Sequence, residues 1–133
     1  MQANRVLAVW EVLHALNTNL GVWTGRLPSH LRASMPGEAI IVRGSAGGSA
    51  IATGRYLDLD DGNVDIRCYG FNEDSAMQVA LAVRAMLQET REQATGAGVL
   101  HWCQAVSASS QLREGDAEWP LVLMVWRAFV TEG

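Results

Sequence analysis

The chain has 133 residues, 49% of them hydrophobic and 18% charged, with a formal net charge of −4. That length suits one compact domain, which buries roughly 65–70% of its unfolded surface without needing disulfides or metal, and the composition excludes a disordered or low-complexity chain. An acidic balance also counts against a protein that reads a phosphate backbone, and all ten basic residues are Arg.

No apolar run reaches the roughly 18–20 residues needed to span a bilayer. The start, Met1 to Trp10, carries Arg5 and no compact apolar stretch before a small-residue cleavage site, so no signal peptide is expected. Cys68 and Cys103 are the two cysteines, too few for a disulfide scaffold, and are expected as reduced, buried thiols of a cytoplasmic protein.

The first periodic segment is Val6, Val9, Trp10, Leu13, Leu16 and Leu20, which predicts a helix from Asn4 to Asn19 with Asn4 as N-cap and Gly21 as its end. Val22 to Gly37 is aperiodic and reads as a long ordered connection anchored by Val22, Trp23, Leu27 and Leu31. Ile40, Ile41 and Val42 predict a short strand. Gly44 to Gly54, with Gly47 and Gly48 between, predicts a flexible excursion, and Ile51 to Leu59 the start of a further strand. Asp60, Asp61, Gly62 and Asn63 then predict a hairpin turn. Val64, Ile66 and Cys68 alternate with Asp65, Arg67 and Tyr69, the pattern of a half-buried strand.

Asn72 caps a second predicted helix over Glu73 to Glu92, with Ala76, Val79, Ala80, Val83 and Leu87 as the buried stripe. Met77, Leu81 and Ala85 add a second stripe, a sign of contact on another side. Val99 to Val106 reads as a strand, and Ser107 to Glu118 as a polar loop. Leu121 to Val130 is the last strand, apolar on both faces except at Arg127, so it must be covered on both sides by its own helices or by a neighbouring subunit. The expected fold is α+β: a mainly antiparallel, curved sheet with two main helices packed against it, in a single domain spanning 1–133.

No catalytic constellation emerges, and the chain is read as not an enzyme. The Gly44–Gly54 stretch has no Lys and does not match a phosphate loop or a nucleophile elbow. Counted from Asp58, Gly62 and Tyr69 fall at the wrong positions for a calcium loop. His14, His30 and His101 are the three imidazoles; His101 and Cys103 would share a sheet face, but with Cys68 as the one available third ligand no metal site is expected. No cofactor is expected either. The five tryptophans, Trp10, Trp23, Trp102, Trp119 and Trp126, suit both core packing and binding hot spots.

In order along the chain, several elements resemble the tail terminator, or tail-completion, family of long-tailed bacteriophages. They are an amphipathic first helix, then Val22, Trp23, Leu27 and Pro28, then Pro36 leading into Ile40, Ile41 and Val42. An alternating strand ending Cys68, Tyr69, Gly70 and running into the Ala-rich helix follows, and two C-terminal strands complete the pattern. The resemblance implies a structural virion protein that caps the tail tube, ends its growth and forms the tail side of the head–tail joint. It would act as a homohexameric ring at the head-proximal end of the tail, after assembly in the host cytoplasm. Implied partners are copies of itself, the tail tube protein and the head–tail connector. DNA would pass through the ring without sequence-specific binding, and no membrane is involved. The alternatives are another connector ring, a stopper or adaptor, and a small-molecule-binding α+β domain.

On that reading the expected subunit interface is Trp119, Leu121, Leu123, Val125 and Trp126 with Met77 and Leu81. The expected mobile assembly loops carry Gly44, Gly47, Gly48 and Gly54, and Arg113 and Gly115. The expected acidic lumen residues are Asp58, Asp60, Asp61, Glu114 and Asp116, with Glu118 beside them. If they line the channel, Asp60→Arg with Asp61→Arg should leave stability within roughly 0.5 kcal/mol, as exposed surface changes usually do.

Overall fold

The computed structural model describes residues 3–44, 50–52 and 59–132. Gly47, Gly48, Gly54 and Asp58 lie outside these residues. Helix α1 spans Arg5–Leu13, and the Asn4 side chain accepts from the Leu7 N–H as its N-cap. It stops earlier than the apolar spacing predicts because Asn17, Thr18 and Asn19 are poor helix formers. Leu16 still packs against the core from the turns that follow, so the spacing continues where the helix does not.

Within the expected connection lie a short strand β1 (Val22–Thr24) and a 3-10 turn over Ser29–Ser34. Strand β2 (Ala39–Gly44) includes Gly44, paired with Val64 of the next long strand, so Gly44 is a strand residue and not part of a loop. Strand β3 is Ala50–Ala52, and β4 runs unbroken from Leu59 to Tyr69. The hairpin turn expected at Asp60–Asn63 is absent. Those residues pair one for one with Val130 to Arg127 of the last strand, and a long apolar partner outweighs the local turn preference of Asp-Gly.

Helix α2 spans Glu73–Glu89, capped by Asn72, whose side chain accepts from the Ser75 N–H at 2.8 Å. Glu73 and Asp74 complement its dipole. Strands β5 (Gln93–Thr95), β6 (Gly98–Ala105), β7 (Ser110–Glu114) and β8 (Trp119–Thr131) complete the chain. Strand β7 lies inside the segment expected to be a polar loop. Its side chains are mostly exposed, which hides a strand from any hydrophobicity pattern, but its backbone pairs with Trp119–Leu123.

The strands form one sheet in the order β1-β2-β4-β8-β6-β5, with β3 beside β4 and β7 beside β8. Pairing is antiparallel except between β1 and β2. The long pair β4–β8 is the spine. Two shorter strands meet each outer edge in succession, β2 and β3 along β4, β6 and β7 along β8. The fold is α+β, as expected.

Both helices cover one face of the sheet. Ala8, Val9 and Leu13 of α1 and the predicted stripe of α2 pack on Ile40, Val42, Val64, Ile66, Cys68, Val122, Met124, Trp126 and Val130. A fully buried Val, Leu or Ile contributes about 1.5–3 kcal/mol relative to an exposed one. On the opposite face a smaller cluster forms where Leu27, Leu31 and Met35 fold over Ala39, Ile41, Tyr69 and Leu121. No helix is long and apolar enough to cross a membrane, among the described residues.

Candidate assembly surface

Alternation along β8 divides the expected interface residues between two faces. Trp126 points to the helices, is 2% exposed within the core, and also lines the groove beside α2. Leu121 is buried beneath the 3-10 segment, with Trp119 packed half-buried at the margin of the same cluster. Leu123 and Val125, on the outer face, are half-buried, as is Phe129 farther along the same row. Met77 and Leu81 sit elsewhere, on α2. Leu81 is 47% exposed and lines a groove of about 380 Å³ with Met77 and the link between β6 and β7. The seven residues thus do not form one patch: Leu123 and Val125 lie on the outer face, Trp119 and Leu121 belong to the smaller cluster, and Trp126 meets Met77 and Leu81 at the groove.

Sequence reasoning missed Trp102 and Phe129 as outer-face residues. Their rings stack with centroids 5.8 Å apart, the Arg127 guanidinium lies 5.6 Å over Trp102, and Arg127 also grips Asp61 through two bonds of 2.8 and 2.6 Å. These bonds and the Asp61 charge raise the Arg127 pKa. The parity of Phe129 with Leu123 and Val125 was a usable signal. Trp102 was not legible, because a bulge at His101 shifts the register of β6 between Leu100 and Trp102.

The same bulge separates His101 from Cys103. Cys103 faces the core, whereas His101 packs on Phe129 at 5.3 Å, with Nδ1 2.5 Å from a Glu92 carboxylate oxygen and Nε2 2.6 Å from Thr131 Oγ1. Hydroxyl, imidazole and carboxylate follow the order of a hydrolytic triad. That chemistry also needs a substrate cavity with oxyanion donors. None of the five principal cavities among the described residues, of about 160–440 Å³, is lined by any of the three. The relay instead ties the turn after α2 to the end of β8.

Both thiols are free and buried, and burial pushes Cys103 up to about 12 and Cys68 higher still. Neither is a nucleophile at neutral pH. No three His, Cys, Asp or Glu side chains gather in a metal-holding group among the described residues.

The acidic residues expected to line a lumen are mostly neutralised. Asp60 is 6% exposed; its Oδ1 accepts from Arg5 Nη1 at 2.8 Å and its Oδ2 from the Arg5 backbone N–H at 2.9 Å. Glu114 accepts from Arg67 Nη1 at 2.5 Å and from the Tyr69 hydroxyl at 2.6 Å. Burial, then the hydrogen bond and charge of Glu114, push Tyr69 up to about 12. Asp61 is held by Arg127. Asp116 is exposed on the turn between β7 and β8. Arg113 donates to Glu73 at 2.7 Å and to the Glu118 carbonyl at 3.2 Å, and Gly115 turns the chain with φ of 70°. These contacts bind both into an ordered β7–β8 hairpin.

No family model matches this sequence, and no curated protein matches it. Among solved structures, a chain of the virion of a native gene transfer agent particle superposes with a TM-score of 0.61 at 17% identity, over 96% of this chain and 95% of that one. At that identity the likeness establishes a shared fold, and it does so nearly end to end.

Proposed function

We propose that this chain is a structural, non-enzymatic virion protein of a phage-like particle. It caps the tail tube, ends tube growth and forms the tail side of the head–tail joint as a homohexameric ring. The observation that carries the reading is the half-buried apolar row Leu123, Val125 and Phe129, on a fold shared over 96% of the chain with a chain of a gene transfer agent virion. A sheet face of this kind, opposite the helices, is suited to burial against another subunit. The β4–β8 spine supplies a rigid platform for it. A closed ring needs a heterologous contact, and the separate Met77–Leu81 groove offers a second surface for its other half.

Native mass measurement tests the reading, with the protein alone at high concentration and with purified tail tubes. The expected result is a species of six 14.4 kDa subunits, free or on the tube end. A monomer under both conditions overturns the ring. Rings that bind the head connector but not the tube would identify a stopper or adaptor instead.

A further inference from the structure

On the outer face, beside the cluster formed by the 3-10 segment, lies a pocket of about 200 Å³ lined by Arg26, Arg32, Arg43 and Arg67. The chain brings them there from four places: the turn after β1, the 3-10 segment, the end of β2 and the middle of β4. Arg67 spends its Nη1 on Glu114, and its Nε is buried without a hydrogen-bond partner. Arg26, Arg32 and Arg43 form no ion pair with a described residue. One carboxylate, Glu114, lines the pocket itself, and a second, Asp65, is near. Glu114 is already shared between Arg67 and Tyr69, and Asp65 sits across from Arg43 in register without pairing to it.

Elsewhere three arginines are paired, in Arg5–Asp60, Arg113–Glu73 and Arg127–Asp61. Three exposed guanidiniums without an ion pair to a described residue line one small pocket with Arg67 in its wall, an arrangement that favours an anion. Like charges lining one pocket repel one another, and a bound anion relieves that repulsion. A lone carboxylate offers two oxygens, which one guanidinium fork satisfies. A tetrahedral phosphate offers enough oxygens to engage several forks at once. Tyr69 and Trp119, which also line the pocket, add aromatic walls suited to the apolar part of a phosphate ester.

We infer that this pocket is an oxyanion site that takes a phosphate group, presented by a free phosphate compound or by a nucleic-acid backbone. The inference stands on these four arginines and does not depend on the assembly reading.

Titration with inorganic phosphate, followed by amide chemical shifts and by melting temperature against chloride at equal ionic strength, tests it. Saturable shifts at β2, β4 and the 3-10 segment are expected, with a phosphate-specific rise in melting temperature. Arg26→Ala and Arg43→Ala, both exposed, should each weaken phosphate binding at least about tenfold, as loss of a charged hydrogen bond does. Arg84→Ala on α2 should leave it unchanged. A short duplex DNA that displaces phosphate identifies the backbone as the source, and one that does not identifies a free phosphate compound. Phosphate acting no differently from chloride, or binding untouched by both variants, overturns the site. Poly-glutamate binding there while phosphate does not would equally overturn it.

Discussion

Asp60 shows how one side chain can serve two elements. Helix α1 has no acidic residue in its first turn, and its first backbone N–H groups have no intrahelical partner. Asp60 reaches over from β4, takes the free N–H of Arg5 and pairs with the Arg5 guanidinium, while Arg5 Nε donates to the Asn63 carbonyl at 3.0 Å. The pair is almost dry, with side chains 12% and 9% exposed. Asp60→Ala strips the partner from a buried cation, so it should cost about 3 kcal/mol in urea denaturation, whereas exposed Asp116→Ala should stay within about 0.5 kcal/mol. The expectation that exchange at Asp60 would be neutral therefore fails.

The thiols and Tyr69 set an alkaline limit at the same scale. Their folded pKa values are raised, so the folded state holds protons that the unfolded state gives up earlier. Their stabilising share is complete below the unfolded values, about 8.5 for Cys and about 10 for Tyr. It is lost as pH climbs from there through the folded values near 12. Melting temperature should fall steadily from about pH 9 upward, and Cys103→Ala should flatten that fall.

At the scale of elements, the junction from β4 to α2 is the tightest at any described glycine. A Cβ on Gly70 would lie 2.1 Å from the Ala76 backbone nitrogen, so the strand end runs flush against the first turn of the helix it feeds. Backbone on both sides leaves nothing flexible to move. Gly70→Ala should cost about 3 kcal/mol or more, read from denaturant midpoints. Gly98 is constrained in a similar way, with φ of 120° and the Thr131 carbonyl 2.4 Å from a built Cβ. Asn72→Ala, which removes the cap of α2, should cost about 1 kcal/mol by the same measurement.

Across the whole molecule, the two faces of the sheet are treated unequally. One is sealed by α1 and α2. The other is covered over β1, β2 and the start of β8, and then carries half-buried Leu123, Val125 and Phe129. A charge on this row should damage association far more than folding. On the proposed assembly, Val125→Glu is expected to leave the monomer's melting temperature within a few degrees while abolishing the proposed ring, or capture by tail tubes, in native mass spectra. Leu81→Ser, tested in parallel, reports whether the groove beside α2 is the other half of the contact.

Local pattern was sufficient for the features whose cause lies within a few residues of chain. Asn4 and Asn72 cap because their side chains meet backbone N–H groups three residues on. The α2 stripe and the Val64–Cys68 alternation reflect one-sided burial, which periodicity records directly. Tertiary structure decided whatever depends on pairing over long separations. Asp60–Asn63 reads as a turn alone and becomes strand because β8 offers 11 consecutive partners to β4. Strand β7 exists through backbone bonds that its polar side chains do not announce. The division of β8 into a core row and an outer row needed the helices in place. The arginine pocket, drawn from four distant segments, has no signature along the chain, because convergence in space leaves no spacing to read.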